Sequence, residues 1–295
     1  MTSLRSTALT CCILAQIGLS TSVAATSETR FLERDAGRIA YDDSGGNGSL
    51  IVAIPGMGDV RQQYRFLRPR LVGAGYRVVT MDVRGHGESS ANWPDYSARA
   101  VGSDALALIR QLGAGKAVIL GNSFAAGAAL WAAHEQPDVV QSIGMLGPIL
   151  RDLPFDRLTQ VMVSIGFAGP WCTWFWMTYW ESLFPLTKPA DHLAYRDRLA
   201  ANLKEAGRMD ALRTMVALSK SDTEALVGKV SVPVLVVMGS RDPDFNDPVA
   251  EAAWLAGKTK AQVALVHGAG HYAHVEVPDQ VASEIERFLD RLRGK

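Results

Sequence analysis

Three residues of this 295-residue chain could combine into an activated nucleophile. Ser123 stands in Gly121-Asn122-Ser123-Phe124-Ala125, between the apolar run Lys116 to Leu120 and an alanine-rich stretch of helical character. A serine on so sharp a strand-to-helix turn has its hydroxyl thrust clear of the sheet, and small residues are needed where the backbone crowds. At its free pKa that hydroxyl is a poor nucleophile; it needs a base, itself oriented by a carboxylate. Downstream, Met238-Gly239-Ser240-Arg241-Asp242-Pro243 puts a carboxylate just past one expected strand, and Gly268-Ala269-Gly270-His271 puts an imidazole just past the next. Asp244 is the nearest alternative acid and His267 the nearest alternative base. A tetrahedral intermediate would also need hydrogen-bond donors for its oxyanion. Ile54-Pro55-Gly56-Met57-Gly58 follows an apolar run, and its glycines let the Met57 amide turn toward the site; the Phe124 amide, next to the serine, is the second candidate.

The elements that must position these groups alternate in type. Leu50-Ile51-Val52-Ala53-Ile54, Tyr76 to Met81, Lys116 to Leu120, Val139 to Leu146, Val232 to Met238 and Gln262 to Val266 read as strands, several of them apolar on both faces. A short strand, Arg38 to Tyr41, precedes them. Helical spacing marks Gln62 to Leu71, Ala98 to Leu112, Ser123 to His134, Pro248 to Ala256 and Pro278 to Leu292. Such alternation predicts an α/β protein, a parallel sheet covered on both sides. It breaks between Ile149 and about Ser221, a stretch that reads as all-helical and holds four of the seven tryptophans. The expected organisation is a core of residues 26–148 and 222–295 with a helical insertion, 149–221.

Within that insertion no charge occurs from Leu158 to Trp180, although Gly166, Gly169 and Pro170 interrupt its middle. Ordinary packing accounts for such a run. The functional reading is an apolar lid in which Trp171, Trp174, Phe175 and Trp176 line an acyl or aromatic pocket; contact with a membrane is a third reading. On either of the first two, these side chains are expected to bury against the core, one another or substrate.

Thirty basic and thirty acidic residues leave no positive excess for phosphates, so nothing supports a nucleic-acid partner. Cys11, Cys12 and Cys172 have no metal-ligand spacing, so no metal site is expected. Arg5, the uncharged stretch to Ser27 and the small residues Val23-Ala24-Ala25 have the pattern of a cleavable signal peptide over residues 1–25, which predicts a secreted or periplasmic protein; an uncleaved anchor is the alternative.

On the residues quoted, the sequence resembles the α/β-hydrolase superfamily over roughly Phe31 to Leu292, in particular its esterase-like serine hydrolases with a helical cap. The chain order Ser123, Asp242, His271 is that family's order, which sets aside Asp82 because it precedes the serine. Asp82-Val83-Arg84-Gly85-His86-Gly87-Glu88-Ser89 is similar to the D-x-R-G-x-G-x-S stretch after the family's fourth strand, and His271 to Pro278 is similar to the stretch after its histidine. The resemblance implies a doubly wound, mostly parallel eight-stranded sheet, a helical cap over the site and no cofactor. It also implies His86 and His274 as hydrogen-bonding spacers. His134 and His192 read as helix-surface residues. The chain departs from the family pattern in two places: Ala125 stands for a glycine, and Pro55 stands where a histidine usually supports the oxyanion loop. The reading that follows is an exported serine hydrolase acting on a small, apolar ester-like molecule. Lactonase, amidase and carbon–carbon hydrolase activities share the scaffold, as does a slow-turnover ligand sensor. Dehalogenases and epoxide hydrolases are disfavoured because they need aspartate at position 123.

Overall fold

The computed structural model describes residues 28–153 and 156–294; the expected leader, 1–25, lies outside them. Eight strands form one sheet: β1 (Arg30–Arg34), β2 (Gly37–Asp43), β3 (Leu50–Ile54), β4 (Arg77–Met81), β5 (Ala117–Asn122), β6 (Val140–Leu146), β7 (Val234–Gly239) and β8 (Gln262–Val266). Their spatial order is β1-β2-β4-β3-β5-β6-β7-β8. β2 pairs antiparallel with both neighbours, and every pair from β4 to β8 is parallel. This is the mostly parallel eight-stranded sheet expected. From β3 the chain next builds β4 on one side and later β5 on the other. The loops leaving β3 and β5 therefore diverge at a switch point, where open α/β sheets form their crevice.

The helices are α1 (Leu67–Gly73), α2 (Ala98–Leu112), α3 (Phe124–Glu135), α4 (Arg157–Ala168), α5 (Cys172–Ser182), α6 (His192–Leu203), α7 (Arg208–Ala217), α8 (Ser221–Glu224), α9 (Pro248–Thr259), α10 (Ala273–Glu276) and α11 (Pro278–Arg293). Strand side chains alternate between faces, and the core divides accordingly. Leu50, Val52 and Ile54 pack with residues of α2, α3 and α9, whereas Ile51 and Ala53 pack with residues of α1 and α11. Burial on both faces explains why these strands are apolar without alternation. α2 starts at Ser97, whose hydroxyl accepts the Ala100 amide, and stops at Gly113 in the left-handed region.

Two elements differ from expectation. β1, Arg-Phe-Leu-Glu-Arg, has polar ends and one buried residue, as suits an edge strand, so it carried little apolar signal. The helix expected over 62–71 is instead a 3₁₀ turn, Arg61–Arg65, followed by α1. Pro69 lacks an amide hydrogen and is tolerated only in the first turn of a helix, which makes Leu67 a natural start.

Helices α4 to α8 are inserted between β6 and β7 and have an apolar cluster of their own. Trp176, Met177, Trp180, Leu183, Phe184, Tyr195, Leu199, Leu203 and Leu212 meet Val60, Tyr272 and Val275 from the segments that follow β3 and β8. The expectation that the tryptophan-rich stretch is buried throughout is corrected here. Cys172, Trp176 and Trp180 recur every four residues on the inner face of α5 and are buried. Trp171 and Trp174 lie off that face and are 48% and 69% exposed. Leu158, Val161, Met162 and Ile165 form a similar outward stripe on α4. His192, expected at the surface, is buried between Trp180 and Phe184, with Nε2 2.9 Å from Glu181 Oε2. No described helix is long and apolar enough to cross a membrane.

Candidate active site

β5 delivers Ser123 to the mouth of the switch point. The serine holds φ 57° and ψ −126°, one of two non-glycine residues with positive φ among those described. Such a conformation costs about 1–3 kcal/mol and persists only where the surroundings enforce it. Here the Ser123 amide donates to the Leu146 carbonyl (2.9 Å), and the Ile149 amide donates to the Ser123 carbonyl (3.3 Å), pinning the turn from both sides. Strand and helix then cross so closely that a Cβ on Gly121 would lie 2.1 Å from the Ala125 carbonyl oxygen, so only glycine fits at 121. Ala125 is itself fully buried, and its methyl is accommodated.

β7 and β8 are adjacent and parallel, and the loops leaving them bring Asp242 and His271 together. His271 Nδ1 lies 2.8 Å from Asp242 Oδ2, with both residues buried. Gly147, at the end of β6, makes room for the pair: its Cβ would fall 3.2 Å from Nδ1 and 3.3 Å from Asp242 Oδ2. A second carboxylate approaches the same nitrogen, Asp244 Oδ2 at 3.3 Å. Ligand atoms of the three groups lie within 4.8 Å of one another. The 2.8 Å separation is that of a hydrogen bond, so the trio reads as a proton held among three groups rather than as a ligand set. Burial pulls the His271 pKa down, but the two carboxylates outweigh it and carry it to about 9. The histidine loop is anchored to the inserted helices: the His271 amide donates to the Leu183 carbonyl, and Glu276 accepts from Gly270 on one oxygen and from Leu186 and Thr187 on the other.

The loop after β3 lies against the serine. A Cβ on Gly56 would come within 3.1 Å of both Ser123 Cβ and Asn122 Oδ1. Two side chains hold this loop. Gln63 Oε1 accepts the Gly56 amide (3.1 Å), while its Nε2 donates to Asn122 Oδ1 (2.6 Å) and to His274 Nε2 (2.9 Å). His86 Nε2 accepts the Gly58 amide (2.9 Å), which puts its proton on Nδ1, facing the Arg84 carbonyl. Burial holds His86 and His274 neutral, with pKa values lowered to about 4 and about 3. Gln63 thus supplies the support that Pro55 cannot. Among the described residues, the Met57 and Phe124 amides donate to no protein acceptor.

Trp176 closes the arrangement from above. Its indole lies on Gly58, where a Cβ would overlap the ring at 2.3 Å, and its Nε1 is buried without a partner. Phe175 is half-buried and packs edge-on against Phe167. Of the four aromatic residues expected to line a pocket, Trp176 therefore reaches the loop beside the serine, and Trp171 and Trp174 face outward. Asp82 serves elsewhere: it pairs with the buried guanidinium of Arg61, whereas Arg84 is bound by Asp104. Sequence spacing could not single out Gln63, which belongs to no recurring string, and it offered Asp244 only as an alternative to Asp242, whereas the structure brings both carboxylates to His271 Nδ1.

The model of the alpha/beta hydrolase family matches residues 51–284, and the chain belongs to that family. Among characterised relatives, it is 25% identical over 232 residues to 3-oxoadipate enol-lactonase 2 of Acinetobacter baylyi, covering 73% of this chain and 79% of that one. It is 26% identical over 269 residues to 2-(acetamidomethylene)succinate hydrolase of Mesorhizobium japonicum, covering 87% and 94%. Among solved structures, a bromoperoxidase from Bacillus anthracis superposes with a TM-score of 0.77 at 23% identity, over 89% of this chain and all of that one. That likeness establishes the fold.

Proposed function

We propose that the protein is a serine hydrolase that cleaves a carboxylic ester of a small to medium apolar acid through an acyl-enzyme. The observation that carries this reading is the strained Ser123, raised between β5 and α3 in the crevice where the buried His271–Asp242 pair also ends. In the proposed reaction, Ser123 Oγ bonds to the carbonyl carbon as its proton passes to His271 Nε2, and the carbonyl π pair moves onto oxygen. The resulting oxyanion takes the free Met57 and Phe124 amides. Collapse of the tetrahedral species expels the alcohol, which receives the proton from His271. Water then repeats the sequence on the acyl-enzyme and frees the acid. Met57, Phe167, Trp176 and Tyr179, beside the loop, support an apolar acyl group. A lactone or an amide would follow the same steps, and relatives named as an enol-lactonase and an acetamido-compound hydrolase make these the first alternatives to assay.

The test is hydrolysis of p-nitrophenyl esters from acetyl to octanoyl by wild type and Ser123→Ala. The reading expects activity to rise with chain length before falling, and to vanish in the variant with its circular dichroism unchanged. A variant retaining more than a tenth of the activity would remove Ser123 from the chemistry. The leader pattern supports export as part of the same proposal. Protein recovered from the periplasm should begin near Thr26 by intact mass, whereas membrane-bound protein retaining Met1 would replace cleavage with anchoring.

A further inference from the structure

The His271 ring nitrogen that faces away from Ser123 in the proposed mechanism has two carboxylates within reach, yet a mechanism of this kind uses one. We propose that Asp244 is a second positioning residue for His271, able to orient the imidazole when Asp242 is lost and sharing with it the charge that forms during acylation. The proposal rests on the serine-hydrolase reading and gives its histidine two supports.

The geometry favours a built arrangement over a chance approach. Asp242 and Asp244 are two residues apart on the turn leaving β7, and the Asp244 amide donates to Asp242 Oδ1 at 3.0 Å, which fixes the two carboxylates side by side. The Asp244 side chain is only 7% exposed. Its Oδ1 accepts the Tyr179 hydroxyl from α5 at 2.7 Å. Its Oδ2 accepts no hydrogen bond, although it lies 3.3 Å from His271 Nδ1. A buried carboxylate oxygen left without a donor is costly. Here it sits beside a proton already committed, at 2.8 Å, to Asp242. Removing the negative charge of Asp242 leaves that proton a ready acceptor.

During acylation Nε2 takes the serine proton and the ring becomes an imidazolium. The Nδ1 proton does not transfer; it stays between the carboxylates, whose charges stabilise the cation. Groups facing the ring are Asp242 and Asp244 from the β7–α9 turn, with Tyr179 of α5 behind Asp244, and Tyr272 and His274 from the segment after His271 itself. His274 is held neutral, and Asp244, whose pKa burial and the neighbouring Asp242 raise, is drawn back toward its charged form by His271 and by the Tyr179 hydroxyl. Both carboxylates raise the His271 pKa against the pull of burial.

The experiment is a double-mutant cycle on kcat/KM, with Ser123→Ala as zero, using Asp242→Asn, Asp244→Asn and the combined variant. Where one carboxylate carries all the orientation, its loss costs about 10⁴-fold. The proposal expects Asp242→Asn to lose only about 10²-fold, Asp244→Asn a few-fold, and the double variant the full ~10⁴-fold. It also expects the acid limb of the Asp244→Asn pH–rate profile to move to lower pH, because one of the two anions is gone. An Asp242→Asn variant as slow as the double variant overturns the proposal. Should the double variant fail to fold, the limb decides: a downward shift supports Asp244 and an unmoved limb overturns it. If wild type itself hydrolyses no ester, or Ser123→Ala stays active, the serine-hydrolase reading fails instead, which is a separate result.

Discussion

The loops at the strand ends and the helices α4 and α5 are built on opposite terms. Around Ser123, hydrogen bonds tie the loops together: Gln63 joins the β3 loop to β5 and to His274, His86 holds Gly58, and Glu276 binds three amides, while the Met57 and Phe124 amides stay unpaired. On α4 and on the outer side of α5, apolar side chains such as Met162, Ile165 and Trp174 face outward. Where buried polar groups interlock, each residue has few permitted positions and a small displacement leaves a donor or acceptor unpaired, at about 1–3 kcal/mol. Where a helix offers only an apolar stripe, many neighbours would satisfy it. The proposed chemistry therefore falls in the first region, and substitutions are expected to be better tolerated in the second.

The largest effect that would break this contrast is on His271. His271→Ala should lower ester kcat/KM by about 10⁴-fold or more, since both proton transfers are lost. Steady-state assays that find less than a tenfold loss would remove the histidine from the chemistry. Next come two tryptophans of one helix. Trp176→Ala opens a cavity against Gly58 and should cost about 3–5 kcal/mol in urea unfolding. Trp174→Ala should change stability by less than about 0.5 kcal/mol and leave ester kinetics alone. Equal losses in the two variants would mean that α5 packs differently. Gln63→Leu follows: it keeps the volume but frees the Gly56 amide and Asn122, and should lower kcat by about 10- to 100-fold with KM little changed. A change confined to KM would deny it a part in positioning the loop.

The remaining effect is on stability against pH. His86 and His274 have folded pKa values below the ordinary 6.5, so the unfolded chain binds more protons and stability falls as pH drops below about 6.5. His271 has the opposite sign. Its contribution is fully present below 6.5 and is lost as pH rises through about 9. The urea midpoint should therefore be highest near pH 6.5 and fall on either side, and a midpoint still rising toward pH 5 would contradict the buried neutral histidines.

The same contrast governs what could be read from residue order. Ile51 to Ile54, Val118 to Leu120 and Leu235 to Met238 are legible as strands because burial on both faces forces apolar runs. The adjacency of Asp242 and His271 follows from two neighbouring parallel strands ending on one side of the sheet. The approach of Asp244 is not legible, because it depends on how a two-residue step rotates within a turn. Gln63 is hidden for a related reason: its partners come from the loop after β3, from β5 and from α10, and no local period links them. The outward placement of Trp171 and Trp174 is not legible either, because an uncharged run says that a segment has apolar side chains but not which of them finds a neighbour.

The central claim is that Ser123 is the nucleophile, and one mass measurement tests it. The wild-type protein treated with a fluorophosphonate should gain a single adduct. Peptide mapping should place it on Ser123, and His271→Ala, which leaves the serine present but removes its base, should label far more slowly. An unlabelled but folded wild type, or an adduct on any other residue, would contradict the account.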